Sequence, residues 1–233
     1  MGTIDTMSGI GLYNETSLHN AIKEIYAKGM YPTEVECDGY VIDVIVENEL
    51  IEIQTRSYSS IKTKLATLLK NHKIRLVYPL IVEKHIRVLD KMGKKILHER
   101  RSPKRGRRLD VLNELIYIPH LLSHKNFTLD VLSVNVLETR CDDGKGSWRR
   151  KGVRIAGREL TNIIKTETFT DLESFRSLLP LNLSNEFSSR SLKEDHGVSP
   201  RIVNKMLYVL DRSGAIQKIR KDGNLHIYTT INS

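Results

Sequence analysis

Apolar residues recur along this chain at two periods, and stretches of each period alternate. Over residues 16–28, Leu18, Ile22, Ile25 and Tyr26 fall at helical spacing, and Gly29 follows as a stop. Residues 34–40 read as a strand, with Asp38-Gly39 as a hairpin turn signal. Residues 41–46 form an apolar run broken only by Asp43, and 50–55 form another short strand. Residues 59–71 predict an amphipathic helix with Ile61, Leu65, Leu68 and Leu69 on one face, and 76–82 a buried strand. The runs 41–46 and 76–82 are apolar on both faces, so the sheet should be covered on both sides. The expected fold class is α/β, a mixed sheet flanked by helices.

From residue 109 the periodicity weakens. Residues 109–122 predict a helix or extended apolar segment ending near Pro119, 128–139 a strand, and Asp143-Gly144 a turn. Near residue 168 the pattern sharpens. A helix over 171–179, capped by Thr170 and stopped by Pro180, precedes a short helix after Ser188-Ser189. Ser199 caps a third helix with Pro200 at its first position; Val203, Met206, Leu207 and Leu210 mark its inner face and Gly214 its end. Residues 215–220 and 225–230 flank Asp222-Gly223 as a hairpin. The expected division is a core over 1–112, a connecting β-containing basic segment over 113–167, and a small domain over 168–233.

Charge sharpens this picture. The chain of 233 residues carries a net +9, which favours a polyanionic partner. Residues 1–83 hold 8 Lys and Arg against 11 Asp and Glu, a net of −3; residues 84–108 hold 11 against 2, a net of +9. That segment contains Arg100, Arg101, Lys104, Arg105, Arg107 and Arg108, and its Pro103 and Gly106 point to a loop or hairpin rather than a helix. Residues 145–158 form a second basic stretch with Arg149, Arg150 and Lys151 around Trp148. An aromatic among arginines can stack on a base; packing at a domain junction is the commoner use. The two cysteines, Cys37 and Cys141, make neither a disulfide framework nor a four-ligand zinc set. With no long apolar run and no signal peptide, a cytoplasmic protein without membrane contact is expected.

The most informative residues are Asp43 and Glu52. An ionised carboxylate within an apolar strand is costly unless paired or bound to a cation. If Glu47-Asn48 is a two-residue turn, Val44 faces Ile51 and Asp43 faces Glu52, on one sheet face about 5 Å apart. Gln54 lies on that face two residues along. Opposed carboxylates repel, and a hard divalent cation resolves the repulsion. The alternative is that each carboxylate pairs with a Lys or Arg, although none occurs between residues 29 and 55.

This arrangement resembles the PD-(D/E)xK nuclease superfamily, with its restriction-endonuclease-like core of helix, three antiparallel strands, helix and further strand over about residues 12–82. Asp43 matches the first acid, and Glu52-Ile53-Gln54 matches the second motif with Gln in place of Lys. The resemblance implies Mg²⁺ (or Mn²⁺) held by Asp43 and Glu52, with Gln54 orienting the attacking water. It implies a lysine supplied from the next helix, Lys64 or Lys62, and an acid on the first helix, Glu15 before Glu24. His19 lies one turn after Glu15 on the same helix face.

Residues 168–233 resemble a winged helix. That likeness implies a third helix presenting Arg201, Asn204, Lys205, Tyr208 and Arg212 to DNA, with Arg220 and Lys221 at the wing. The function so implied is a metal-dependent DNA endonuclease, which would cut both strands as a homodimer or through two binding events. The alternatives are a nuclease fold used only for DNA binding and regulation, and an RNA-processing nuclease.

Overall fold

The computed structural model describes residues 16–55 and 57–231. Helix α1 (Thr16–Ala27) leads into three antiparallel strands, β1 (Thr33–Cys37), β2 (Tyr40–Val46) and β3 (Glu49–Ile53). Asp38 and Gly39 both take positive φ in the β1–β2 turn, as a tight hairpin requires, and Glu47 does so at the start of the β2–β3 turn. Val44 pairs with Ile51, the register that the apolar alternation predicts.

Strand β4 (Lys73–Leu89) lies parallel to β3 and then to β6 (Phe127–Cys141); β7 (Arg154–Phe169) closes the far edge antiparallel to β6. The result is a mixed seven-stranded sheet, β1-β2-β3-β4-β6-β7, with β5 (Ile96–Arg101) paired to the outer half of β4. Helices cover it. On one face, α1 packs Leu18 and Ile22 against Val44, Ile51, Ile53 and Val77. On the other, α2 (Lys62–Leu68) and α3 (Leu112–Leu115) join Leu50, Leu76 and Leu129 in a core that continues into the C-terminal residues. Asp130, nearly buried, accepts hydrogen bonds from Tyr26, Arg75 and Thr168, and so ties α1, β4 and β7 to β6.

Several elements differ from the sequence pattern. The helix expected over 59–71 begins as a 3-10 turn, Tyr58–Ser60, and only Lys62–Leu68 is α-helical. The strand expected over 76–82 runs on to Leu89, so the basic 84–108 segment is largely a β-hairpin; Ile86 and Val88 are buried between half-exposed or exposed His85 and Arg87. The residues expected as a helix or extended segment over 109–122 form short turns and α3. The 113–167 segment is no connector. Its two long strands complete the sheet, whose last paired residue is Phe169 rather than a residue near 112.

The C-terminal residues form α4 (Leu172–Arg176), α5 (Ser189–Glu194) and α6 (Pro200–Ser213), with β8 (Glu186–Ser188), β9 (Ile216–Asp222) and β10 (Leu225–Thr230) in a three-stranded antiparallel sheet. Ser188 caps α5 through its hydroxyl, and Gly214 ends α6 in the left-handed conformation. Among the described residues, no helix is long and apolar enough to cross a membrane.

Candidate active site

Strand β2 pairs with β3 only as far as Val44. Beyond that point the hairpin arm of β1 and β2 leans over α2, where the Val41 carbonyl oxygen accepts from the Lys64 ammonium at 2.6 Å. Asp43 sits at the departure. Its carboxylate accepts from the Ile53 amide at 2.7 Å, standing in for the ladder bond that β2 no longer makes. The His19 imidazole of α1 lies 3.2 Å from the same oxygen.

Glu52 is buried on β3, with 12% of its side chain exposed, and receives the Lys64 ammonium at 2.6 Å. Burial pushes its carboxyl above the usual range, and the Asp43 charge pushes it further; Lys64 offsets this only in part. Burial also opposes ionisation of Asp43, but the bonds from His19 and the Ile53 amide outweigh it and hold this carboxyl below its ordinary value. The bond to Asp43 raises His19 against the cost of its own burial. The two carboxylates therefore differ in one neighbourhood: its surroundings favour the charge on Asp43 and disfavour the charge on Glu52.

Basic partners reach both acids from distant positions, although none is near them in sequence. Lys64 is half-buried and adjoins Glu52, whereas Lys62 is exposed. Helical phasing explains the choice, because Lys64 stands beside the buried Leu65 and Leu68 and shares their approach to the sheet. The Gln54 side-chain amide nitrogen is bonded to neither carboxylate but donates to the Ser57 carbonyl oxygen and to Ser60 Oγ, each at 3.1 Å. Glu15 lies outside the described residues, and Glu24 is exposed. His19 was marked in the sequence only as sharing a helix face with Glu15; its pairing with Asp43 was missed, because that partner is 24 positions away on another element.

A cleft of about 540 Å³ opens where β3 ends, lined by Thr55, Ser57, Lys84, Lys104 and Arg201, with Asp110 and Glu114 also facing it. Its bed is β4 between the end of β3 and the start of β5, where the Gly106 amide donates to the Ile81 carbonyl oxygen at 2.9 Å. A Cβ on Gly106 would fall 2.5 Å from that oxygen, so only glycine fits so close. Beneath, the buried carboxylate of Glu138 holds Lys84, Arg140 and Arg158. Burial disfavours its charge, yet the bonds from Arg140 and Arg158 and the charge of Lys84 bring Glu138 down to about 2.

The expected nucleic-acid contacts divide by environment. Arg101 pairs with Glu83, Arg105 lies 3.8 Å from the same acid, and Arg108 is held by Glu167. Lys205 turns inward to the Asn113 side-chain oxygen at 2.6 Å, and Arg220 pairs with Glu186. Arg100, Lys104, Arg107 and Lys221 are exposed, as are Arg149, Arg150 and Lys151 around Trp148. Trp148 is 83% exposed, with the Arg149 guanidinium 5.5 Å from its ring centre, so it fills no domain junction. On α6, Arg201, Asn204, Tyr208 and Arg212 form one exposed stripe.

The chain belongs to a sequence family described as Domain of unknown function (DUF8091), which matches residues 16–170. That span ends one residue beyond β7, so the family covers the seven-stranded sheet and its helices. The chain is also similar to an uncharacterized protein of Treponema pallidum (strain Nichols), 30% identical over 221 residues that cover 94% of this chain and 86% of the other. An alignment of that length extends past residue 170 into the C-terminal helices. No solved structure matches the chain.

Proposed function

We propose that this member of the family is a metal-dependent endonuclease that hydrolyses phosphodiester bonds in DNA, with residues 168–233 acting as a winged-helix grip on the substrate. The observation that carries the reading is the contact between Lys64 and Glu52 beside Asp43: two coupled carboxylates and a helix-borne lysine, with Gln54 where a motif lysine would stand. The donor set fits a hard divalent cation: two carboxylates, of which burial and the Asp43 charge hold Glu52 above its ordinary value, a cost that added positive charge would relieve.

In this reading Asp43 and Glu52 hold Mg²⁺ or Mn²⁺. When bound, such an ion makes water a better nucleophile at neutral pH and neutralises charge on the phosphate. Lys64 swings from Glu52 to the phosphate oxygens, where its charge meets the negative charge that develops during attack. The Gln54 side-chain oxygen, its amide nitrogen fixed by Ser57 and Ser60, orients the water. The water oxygen bonds to phosphorus and loses a proton to solvent; the bond from phosphorus to the sugar oxygen breaks, and that oxygen takes up a proton. Lys84, Lys104 and Arg201 hold flanking phosphates in the cleft, and the α6 stripe and Lys221 contact the duplex.

One observation favours a second reading, DNA binding without cleavage: Lys64 and His19 already contact the two acids. The test is cleavage of labelled single-stranded, duplex and branched DNA with Mg²⁺ or Mn²⁺, beside Asp43→Ala and Glu52→Ala. Cleavage by the wild type, lost in both variants with DNA binding retained, is the expected result. Tight, salt-sensitive binding with no cleavage of any substrate overturns the nuclease and leaves the binding protein.

A further inference from the structure

The β1–β2 arm has a second point of attachment, beyond the Lys64 contact. At its tip β1 ends in Cys37, and Asp38 opens the turn; His72 faces them from the link between α2 and β4. His72 Nε2 lies 2.9 Å from Asp38 Oδ2 and 3.7 Å from Cys37 Sγ, and the three ligand atoms all fall within 4.8 Å of one another. Zinc bound at about 2.3 Å by sulfur and about 2.05 Å by nitrogen sets those two atoms roughly 3.6 Å apart at the tetrahedral angle. The observed spacing matches without movement of either backbone. The Asp38 oxygen would have to retreat from His72 by about 0.5 Å to complete the third vertex, which a turn side chain can do.

We propose that Cys37, Asp38 and His72 form a zinc site with three protein ligands and a fourth position open to solvent. The thiol and imidazole select zinc over magnesium, because a soft sulfur donor disfavours a hard cation. The site is chemically distinct from Asp43 and Glu52, which offer only oxygen. A groove of about 600 Å³ adjoins it, with Cys37 and His72 in its wall beside Asn71, Lys73 and Asn126, so a water or a small anionic ligand has access to the open vertex. Zinc there fastens the arm tip to the end of α2. The same arm carries Asp43 five residues on from Asp38, so the clasp also fixes where that carboxylate stands.

Cobalt(II) substitution tests the proposal on the full chain. One equivalent of Co²⁺ should give a thiolate-to-cobalt charge-transfer band together with the visible bands of tetrahedral cobalt, and Zn²⁺ should displace both. Cys37→Ser should abolish the thiolate band, and His72→Ala should weaken Zn²⁺ binding by more than the roughly 10–100-fold that second-layer changes produce. Cys141→Ser and Asp43→Asn should leave the band intact; Cys141 is buried against the Asp90 carbonyl oxygen, away from the cluster. No band in the wild type, or a band that survives Cys37→Ser, overturns the site. Should Cys37→Ser fail to fold, His72→Gln with an unchanged metal-free melting curve should weaken Co²⁺ and Zn²⁺ binding as His72→Ala does, and unaltered affinity overturns the site. The band does not depend on DNA cleavage, so it stands or falls apart from the nuclease reading.

Discussion

The Lys64 ammonium bridges the Glu52 carboxylate and the Val41 carbonyl oxygen, each at 2.6 Å, and so joins α2 to two strands at the point where they separate. If its charge acts on the phosphate, Lys64→Met should lower single-turnover cleavage about 10²- to 10³-fold. DNA affinity should stay within roughly threefold, because one phosphate contact among many contributes little. Moving the lysine, as in Lys64→Met with Gln54→Lys, should restore part of the rate. An equal loss of binding and cleavage would sink the assignment.

Metal should stabilise the fold through Asp43 and Glu52. At a Mg²⁺ concentration near 100 times Kd the gain is about 2.7 kcal/mol, or roughly 5–10 °C for a chain of this size. Asp43→Asn and Glu52→Gln should melt at temperatures indifferent to Mg²⁺. Differential scanning calorimetry with and without the ion measures this directly.

The His19–Asp43 pair makes a signed pH prediction. His19 is raised, so its contribution is fully present below the unfolded value of 6.5 and fades as pH rises through the folded value. The wild type should therefore exceed His19→Gln in stability at pH 6 by more than at pH 9. The pair is partly open to solvent, which limits the difference to about 1 kcal/mol. Urea unfolding at the two pH values decides it; a gap that widens with pH would contradict the assignment.

Glu138 should matter far more to stability. Its side chain is fully buried among three cations and titrates near 2, against an ordinary 4.5. That depression corresponds to about 3 kcal/mol, present above pH 4.5 and lost as pH falls toward 2. Glu138→Gln should lower the melting temperature by roughly 6–12 °C at neutral pH. Its unfolding free energy should converge on that of the wild type in acid.

Trp148 offers a spectroscopic handle, being the sole tryptophan. If a base stacks on it, single-stranded DNA should quench its fluorescence, and Trp148→Ala should weaken binding about tenfold or more. The melting temperature should not change, because the ring buries almost nothing in the fold. Undisturbed fluorescence at saturating DNA would rule the contact out.

The facing of Val44 by Ile51 was legible because Asp43 and Glu52 interrupt apolar runs whose alternation favours that register over one shifted by a residue. Lys64 was legible as one of two lysines, and helical phasing separates it from Lys62. The extension of β4 past Val82 was legible in principle: Ile86 and Val88 alternate with charged residues, but the density of positive charge hid the period of two. The parallel pairing of β4 with β6 was not legible, since Leu76 and Leu129 meet across more than 50 residues and nothing local encodes the encounter. For the same reason, no residue near His19 announces Asp43. The inward turn of Lys205 escaped too, because a lysine at a half-exposed helical position reads as solvent-facing until its neighbour, Asn113, is known.

That inward turn has a mechanical meaning. Val203, Met206 and Leu210 of α6 belong to the same apolar core as Leu112, Leu115 and Leu121, and Lys205 is bonded across the seam. A helix seated in this way cannot swing on a tether. If the outer stripe grips a polymer as proposed, that polymer would sit at a fixed offset from Asp43 and Glu52, and the chain would measure distance along it as a rigid ruler does.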